Sequence, residues 1–140
     1  MKEKQYTLGF YLSRAANAMS VHLNGYLKQA GIDLPYSQYV ILKHLYEEDG
    51  MSQQELADLV FKDTAAVKRT LDILEKKGLV ERVPVSQRKN SVRITDAGRE
   101  LMPQVMECLE NSRKIVMSGI NREEEALLRS ILERLYRNTQ

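Results

Sequence analysis

Apolar residues recur at intervals of three and four over most of this 140-residue chain, which is the spacing of helices that bury one face. The first stretch predicts a helix of about five turns that ends near Gly31. Its apolar residues are Leu8, Tyr11, Leu12, Ala15, Met19, Leu23, Tyr26 and Leu27. A second helix is predicted to open at Pro35 and Ser37 and to close at Gly50.

Two helix-capping signals follow, at Ser52 and Asp63. Ser52 opens the sequence SQQE, which has the form of a capping box: its hydroxyl accepts from the backbone N–H of Glu55, and the Glu55 side chain reaches back. Asp63 is a second good N-cap residue. This spacing leaves one short helix, a turn of about three or four residues and a new helix, and it predicts a helix-turn-helix.

The helix predicted from Thr64 to Lys77 has two distinct faces. Val67, Leu71 and Leu74 are spaced to face the core. The opposite side carries Thr64, Ala65, Lys68, Arg69 and Asp72. Gly78 suits the position just after the helix, where a left-handed backbone is common.

Two short segments rich in β-branched residues come next, LVERV and NSVRIT, with the polar and basic PVSQRK between them. This pattern predicts a two-stranded hairpin. Thr95 is then predicted to cap a long helix through about Ser118, bent at Pro103, and Asn121 to cap a final helix. The predicted fold class is therefore mostly α with a small β-hairpin (α+β), arranged as a winged helix-turn-helix.

The net charge of +2 conceals an uneven distribution. Residues 62–93 contain nine lysines and arginines against four acids, whereas the rest of the chain contains twelve against fifteen. A basic segment on a slightly acidic body is typical of a surface that binds a polyanion, although a solvated charged face is the alternative. A helix of this length fits the major groove of DNA, and the small residues Ala65 and Ala66 permit close approach to base edges.

The sequence contains few features that would support other classes of function. No apolar run is long enough to span a bilayer, and the N-terminus lacks the apolar stretch of a secretion signal. One cysteine, Cys108, makes no internal disulfide, which fits a reducing cytoplasm. With only His22 and His44, no glycine-rich phosphate loop and no spaced Cys/His set, we expect no enzyme activity, cofactor or metal site.

The chain resembles the MarR family (multiple antibiotic resistance regulator) of winged helix-turn-helix transcriptional regulators over nearly its whole length. SQQELADLV, AVKRTLDILEKKGLVER and RITDAGREL resemble the family's third-helix, recognition-helix and post-wing motifs. The residues predicted to bind DNA are Ser52, Gln53, Gln54, Thr64, Ala65, Ala66, Lys68, Arg69, Arg88 and Lys89. The family's Asp-x-Arg at the wing tip is here Ser86, Gln87 and Arg88, so the aspartate is absent.

The resemblance also implies how the molecule is assembled and used. A single MarR-type domain, 1–140, is expected to divide into dimerisation helices at 1–34 and 97–140 and a winged DNA-binding core at 36–95. The alternative is that the terminal helices pack on their own domain. The resemblance implies a homodimeric repressor of an inverted-repeat operator, released by a small phenolic or aromatic anion. A winged-helix module that contacts proteins is the alternative function.

Six of the seven tyrosines lie in the first 46 residues. Because MarR-like proteins often hold phenolic anions near their first helix, Arg14, His22 and Tyr26 are predicted to bind an effector; core packing and surface tyrosines are the alternative. Cys108 is interpreted as a structural thiol, since the peroxide-sensing branch of the family keeps its cysteine in the first helix. Its neighbours Glu107 and Glu110 also disfavour a thiolate.

Overall fold

The computed structural model describes residues 5–60, 63–86 and 89–140. Within them lie six helices and three short strands, so the predicted class, mostly α with a small β component, is confirmed. In chain order the elements are α1 (Leu8–Gln29), α2 (Tyr36–Glu47), β1 (Met51–Ser52), α3 (Gln53–Val60), α4 (Thr64–Lys76), β2 (Val80–Ser86), β3 (Lys89–Ile94), α5 (Asp96–Val116) and α6 (Arg122–Asn138).

The predicted caps explain why the helices begin and end where they do. The Ser52 hydroxyl accepts from the Glu55 backbone N–H at 3.0 Å, which confirms the hydroxyl half of the predicted capping box. Asp63 caps α4 by accepting from the Ala66 backbone N–H at 2.7 Å. Gly78 follows α4 with φ at +75°, a conformation that glycine adopts without strain. These ends fix the phase of α4, and with it the side chains that face outward.

The sheet differs from the predicted hairpin in two ways. It has three antiparallel strands in the order β1-β3-β2, because Met51 pairs with Val92 and adds a third strand. The segment predicted as a loop, 84–89, is also partly strand, since β2 continues to Ser86 and β3 begins at Lys89. Pro84 is tolerated within β2 because β2 is an edge strand, where a missing N–H is least costly.

The core lies between α1, α2, α3, α4, α5 and the sheet. Val67, Leu71 and Leu74 on the inner face of α4 are fully buried, as their spacing predicts. Other fully buried side chains include Leu27, Leu34, Ile41, Leu42, Leu45, Leu56, Val92 and Met102. Burial on this scale, about 1.5–3 kcal/mol for each large aliphatic side chain, fixes the helix-turn-helix as one rigid unit.

The last two helices leave much of their apolar surface uncovered. α5 runs unbroken from Asp96 to Val116 with Pro103 inside it, and it packs along α1. None of the side chains of α6 is buried within this chain. No helix in the described ranges has the length and apolar character needed to cross a membrane.

Candidate nucleic-acid interface and ligand cavity

The outer face of α4 is open to solvent along its N-terminal half. Thr64, Ala65, Lys68 and Arg69 are exposed there, and Ala66 is half-buried. The opposite face is anchored by side chains with no exposed area, which pack α4 against the core. This is the geometry of a helix that is held from behind and presents its outer residues to a groove.

The first turn of α3 lies beside this face, and its three predicted DNA-binding residues differ in accessibility. Gln54 is exposed and donates to the Asp58 carboxylate at 2.9 Å. Ser52 is half-buried and caps α3. Gln53 is half-buried, and its side-chain oxygen accepts from Arg82 Nη1 at 3.4 Å. Of these three, Gln54 is therefore the one most open to a ligand.

Arg82 points into the molecule, a placement that its position in the basic hairpin does not reveal. Its side chain is only 15% exposed, and it donates to Asp72, to Glu75 Oε2 at 3.3 Å and to Gln53. The hydrogen bond from Arg82 lowers the pKa of the Asp72 carboxyl below its usual value. Arg82 thus ties β2 to α4 and α3. The sequence signal for this tie is the pair of acids three residues apart, Asp72 and Glu75, on one side of α4.

Arg82 pairs with Asp72 and Glu75, so these two carboxylates are not available to the exposed cations around them. Lys68 and Arg69 on the N-terminal half of α4, and Lys89 and Arg93 on β3, are exposed and form no ion pair with any other described residue. Arg88, predicted to enter the minor groove, lies outside the described residues, as does Gln87. The described part of the wing and the N-terminal half of α4 together carry a positive outer face suited to a phosphate backbone.

The structure does not bring the three predicted effector residues into one pocket. Arg14 lies over an aromatic cluster at the start of α1, with its guanidinium carbon 5.1–5.9 Å from the ring centroids of Tyr6, Phe10 and Tyr11. His22 lies two turns further along, where its Nδ1 is 2.7 Å from the buried Ser112 Oγ.

The Tyr26 ring packs against His22 with the centroids 5.3 Å apart. His22 and Tyr26 both line an open groove on the outside of α1, together with Val21, Gly25 and Gln29. Arg14 is not among the residues that line this groove.

A more enclosed cavity of about 330 Å³ lies between α1, α2, α5 and α6. Its lining combines apolar, aromatic and cationic side chains: Met19, Leu23, Tyr36, Tyr39, Leu109, Ser112, Arg113, Val116, Met117 and Arg129. Burial, and then the neighbouring Tyr36 and Glu47, raises the pKa of Tyr39 to about 12. The Tyr39 phenol therefore stays protonated throughout the physiological range and is available as a hydrogen-bond donor.

The cationic end of this cavity is built by a carboxylate shared between two arginines. Glu125 accepts from Arg113 Nη2 at 2.8 and 3.0 Å and lies 3.7 Å from Arg129 Nη2. Two positive charges against one negative charge leave this end net positive. Of the six tyrosines near the N-terminus, Tyr36 and Tyr39 line this cavity, whereas its arginines come from distant positions that sequence spacing alone does not connect.

Cys108 has the surroundings of a structural thiol. It is buried, and its Sγ lies 3.6 Å from the Tyr26 carbonyl oxygen. Burial, and then the charge of Glu107, raises the pKa of this thiol above its usual value, which disfavours the reactive thiolate. Across the described ranges, no three His, Cys, Asp or Glu side chains converge to hold a metal ion.

Comparison with known proteins assigns this architecture to a family. The model of the MarR family matches residues 34–89, which span the helix-turn-helix and most of the wing. The uncharacterized HTH-type transcriptional regulator YdgJ of Bacillus subtilis (strain 168) is 33% identical over 144 residues, covering 97% of this chain and 87% of YdgJ.

Solved structures show the same fold. A MarR family transcriptional regulator from Listeria monocytogenes, complexed with 26mer DNA, superposes with a TM-score of 0.84 at 22% identity, over 96% of this chain and 89% of that one. CouR from Rhodococcus jostii RHA1, bound to p-coumaroyl-CoA, superposes with a TM-score of 0.82 at 25% identity, over 92% and 91%.

Proposed function

We propose a function that follows from one premise: this chain belongs to the MarR family of DNA-binding transcriptional regulators. The proposed function is that of a homodimeric repressor, which an aromatic anion releases from an inverted-repeat operator. The observation that carries the proposal is the outer face of α4. Lys68 and Arg69 are exposed there without ion pairs to other described residues, while the two nearby acids are taken up by Arg82.

This face suits the two tasks that operator binding requires. Lys68 and Arg69 are long donors that reach base edges or phosphates from the N-terminal half of α4. Lys89 opens β3 and adds a phosphate contact beside the duplex. We assign Thr64, Ala65 and Ala66 to close packing against the groove, and Ser52, Gln53 and Gln54 to the adjoining edge.

Selection of bound duplexes from a random pool tests the DNA-binding part of the proposal. A two-fold dimer is expected to enrich an inverted repeat whose half-sites lie about one helical turn, roughly 10 bp, apart. Recovered sequences without symmetry would contradict a dimeric reader. Loss of all salt-sensitive binding would instead favour a winged-helix module that contacts proteins.

We infer that a second copy of this chain covers the terminal helices. The exposed apolar side chains of α5 and α6 are Met106, Ile115, Leu127, Leu128, Ile131 and Leu132, and α1 adds Leu8, Phe10, Met19 and Val21. Apolar surface of this extent is rare on a monomer and typical of an interface. Sedimentation equilibrium at micromolar concentration checks this: a 16 kDa species at every concentration would contradict the dimer.

The cavity between α1, α2, α5 and α6 supports an aromatic carboxylate as the effector. Tyr36 and Tyr39 offer ring surfaces and a phenolic donor, and Arg113 and Arg129 offer positive charge. Its volume lies at the lower end of the range for small-molecule sites, which suits a compact aromatic acid. The fold's occurrence in CouR, whose structure holds p-coumaroyl-CoA, is consistent with an aromatic acyl group.

The predicted effector residues Arg14, His22 and Tyr26 do not line this cavity, and in this proposal His22 and Tyr26 act on it indirectly. His22 orients Ser112, which lines the cavity, and Tyr26 packs on His22. Arg14 lies with the aromatic cluster at the start of α1.

Thermal shift and operator affinity, measured with benzoate, salicylate and 4-hydroxycinnamate, test the effector. Binding is expected to weaken DNA affinity by about 5–150-fold, the usual range for coupled sites. Arg113→Gln is expected to abolish this effect, whereas Arg137→Gln, at the far end of α6, should leave it intact. If none of these three compounds changes the melting temperature or the DNA affinity, the proposal of an aromatic carboxylate effector is contradicted.

A further inference from the structure

Lys77 follows α4 directly, and its side chain turns back onto another part of the molecule. Its Nζ donates to Gln38 Oε1 at 2.6 Å and to the Asp33 carbonyl oxygen at 2.7 Å, and it lies 3.3 Å from the Asp33 carboxylate. Gln38 is only 7% exposed. Because an amide buried this far loses its water partners, removing the ammonium leaves an acceptor without compensation, and the link resists breaking.

The acceptor Gln38 belongs to the same helical turn as two cavity residues. Tyr36 and Tyr39 line the cavity, and Gln38 lies between them in the first turn of α2. At about 100° per residue, Gln38 projects roughly opposite Tyr36, so one turn faces the cavity on one side and α4 on the other. The Pro35 carbonyl accepts from both the Gln38 and Tyr39 backbone N–H groups at 2.9 Å, which holds the turn together.

The second acceptor, Asp33, lies in the corner between α1 and α2, which leads directly into this turn. Its neighbours Ile32 and Leu34 are both buried, and the Ile32 backbone N–H donates to the Leu27 carbonyl at 2.9 Å. The corner between α1 and α2 is therefore anchored to the core. Both acceptors of Lys77 therefore lie in one short segment, 33–38, next to the cavity wall.

The geometry points to Lys77 as a positioning residue that couples the cavity to the DNA-reading face through Gln38 and Asp33. α4 is a rigid rod of about 20 Å, with Lys77 at one end and the exposed reading residues toward the other. A shift of the α2 turn pulls on the C-terminal end of this rod, and the reading residues change their approach to the groove. The inference rests on the proposed function and names a route for its regulation.

Reciprocity allows a test that needs no effector. If the cavity wall and α4 are coupled, then DNA binding to α4 must stabilise the α2 turn by the same coupling free energy. Hydrogen–deuterium exchange of residues 33–42 is measured in the full-length protein, free and saturated with the duplex recovered by selection. In the natural sequence DNA is expected to slow this exchange by about fivefold, the low end of typical coupling.

Three variants and one control separate coupling from simple stabilisation. Lys77→Met removes the donor and Gln38→Leu the buried acceptor, and either is expected to reduce the slowing to less than about twofold. Gln38→Glu keeps an acceptor for Lys77 and is expected to preserve it. Lys76→Met removes the same charge one residue earlier, from a side chain without ion pairs to other described residues, and should behave like the natural protein.

The outcomes separate failure of the link from failure of DNA binding. Slowing in Lys77→Met that equals that of the natural protein, or no slowing in the natural protein when bound to DNA, overturns the link. If Lys77→Met does not fold, Gln38→Leu decides between the same two outcomes. A binding isotherm that shows no complex with any duplex overturns the proposed function itself, and the link with it.

Discussion

Gly98 lies in the first turn of α5, where that helix passes directly over the start of β2. A Cβ built at this position would lie 2.5 Å from the Leu79 carbonyl oxygen and 2.7 Å from Ile94 Cγ1. Thr95 closes the same junction, because its hydroxyl donates to the Gly78 carbonyl at 2.6 Å and accepts from the Gly98 N–H at 3.1 Å. The end of the wing is thus joined to α5 through a contact that only hydrogen at Cα allows.

Gly98→Ala is expected to destabilise the fold. Overpacking against a backbone carbonyl costs about 1–3 kcal/mol, only partly offset by the roughly 1 kcal/mol that alanine gains over glycine inside a helix. Urea unfolding at fixed protein concentration measures the change. Gly25→Ala is the matched control, since nothing lies within 4 Å of a Cβ there, and it is expected to stabilise α1 by about 0.5–1 kcal/mol. Equal stability of Gly98→Ala and the natural protein would show that the junction yields.

Tyr39 gives the cavity wall a pH dependence of known sign. Because the pKa of Tyr39 rises from 10.0 in the unfolded chain to about 12 in the fold, the native state holds its proton longer. Stability from this group is therefore fully present below about pH 10 and is lost as pH rises towards 12. Tyr39→Phe is expected to lack this loss. Urea unfolding at pH 9 and pH 11 tests it, and equal pH slopes for the two proteins would contradict it.

At the scale of elements, capping residues and apolar spacing in the sequence predict the helices, whereas the third strand of the sheet depends on tertiary contacts. Ser52, Asp63 and Asn121 place the helix starts because a capping hydrogen bond involves residues only a few positions apart. β1 is missed because two residues are too few to show an alternating pattern, and it forms only when Met51 meets Val92.

The orientation of basic side chains is harder still to predict. Arg82 and Lys77 look like part of a basic surface, yet both turn inward to acceptors supplied by other elements. Charge counted along the sequence therefore marks a candidate DNA-facing segment but overstates the number of its free cations.

Arg82 is expected to stabilise the junction of wing and recognition helix more than a surface cation does. Arg82→Met should cost about 1.5–3 kcal/mol, the range for hydrogen bonds to charged groups, whereas the exposed Arg93→Met on β3 should cost much less. A double-mutant cycle with Asp72→Asn should give a favourable coupling between the two side chains. Additive effects of Arg82→Met and Asp72→Asn would show that the pair contributes nothing to the fold.

The same pair gives the junction an acid limit. Because the pKa of Asp72 is lowered in the fold, the stability it contributes is present above its ordinary value near 3.8 and is lost as pH falls through the folded value. The coupling measured by the cycle should therefore be smaller at pH 3 than at pH 7.

At the scale of the whole molecule, the largest uncovered apolar surface and the candidate DNA-binding cations lie on different elements. No side chain of α6 is fully buried within this chain, and α1 also leaves aromatic and aliphatic side chains open. Lys68, Arg69, Lys89 and Arg93, the exposed cations of the candidate DNA-binding face, lie on α4 and β3. A dimer formed through the terminal helices would leave two such cationic faces free, related by a two-fold axis. Each amino-acid substitution would then alter two contacts with DNA, one in each subunit.

This doubling makes the salt dependence of binding a test of assembly and interface together. Each phosphate contact contributes about 0.9 to the slope of log K against log salt, so Lys89→Ala in a symmetric dimer is expected to flatten that slope by about 1.8. Arg88→Ala should behave alike if that residue, which lies outside the described part of the chain, grips the minor groove. Specific and random duplexes should lose affinity together, because a phosphate contact carries no sequence information.

Arg69→Ala is expected to act differently from these wing variants. A side chain that bonds a base edge contributes about 1–3 kcal/mol of discrimination at one position in each half-site, so its loss should narrow the gap between operator and scrambled DNA. Lys76→Ala, at the opposite end of α4, serves as the charge-matched control and should change neither slope nor discrimination. Salt titrations of all four variants on both duplexes decide the matter. A slope change near 0.9 for Lys89→Ala would indicate that only one subunit's wing touches the duplex, and no change would place DNA on another face of the protein.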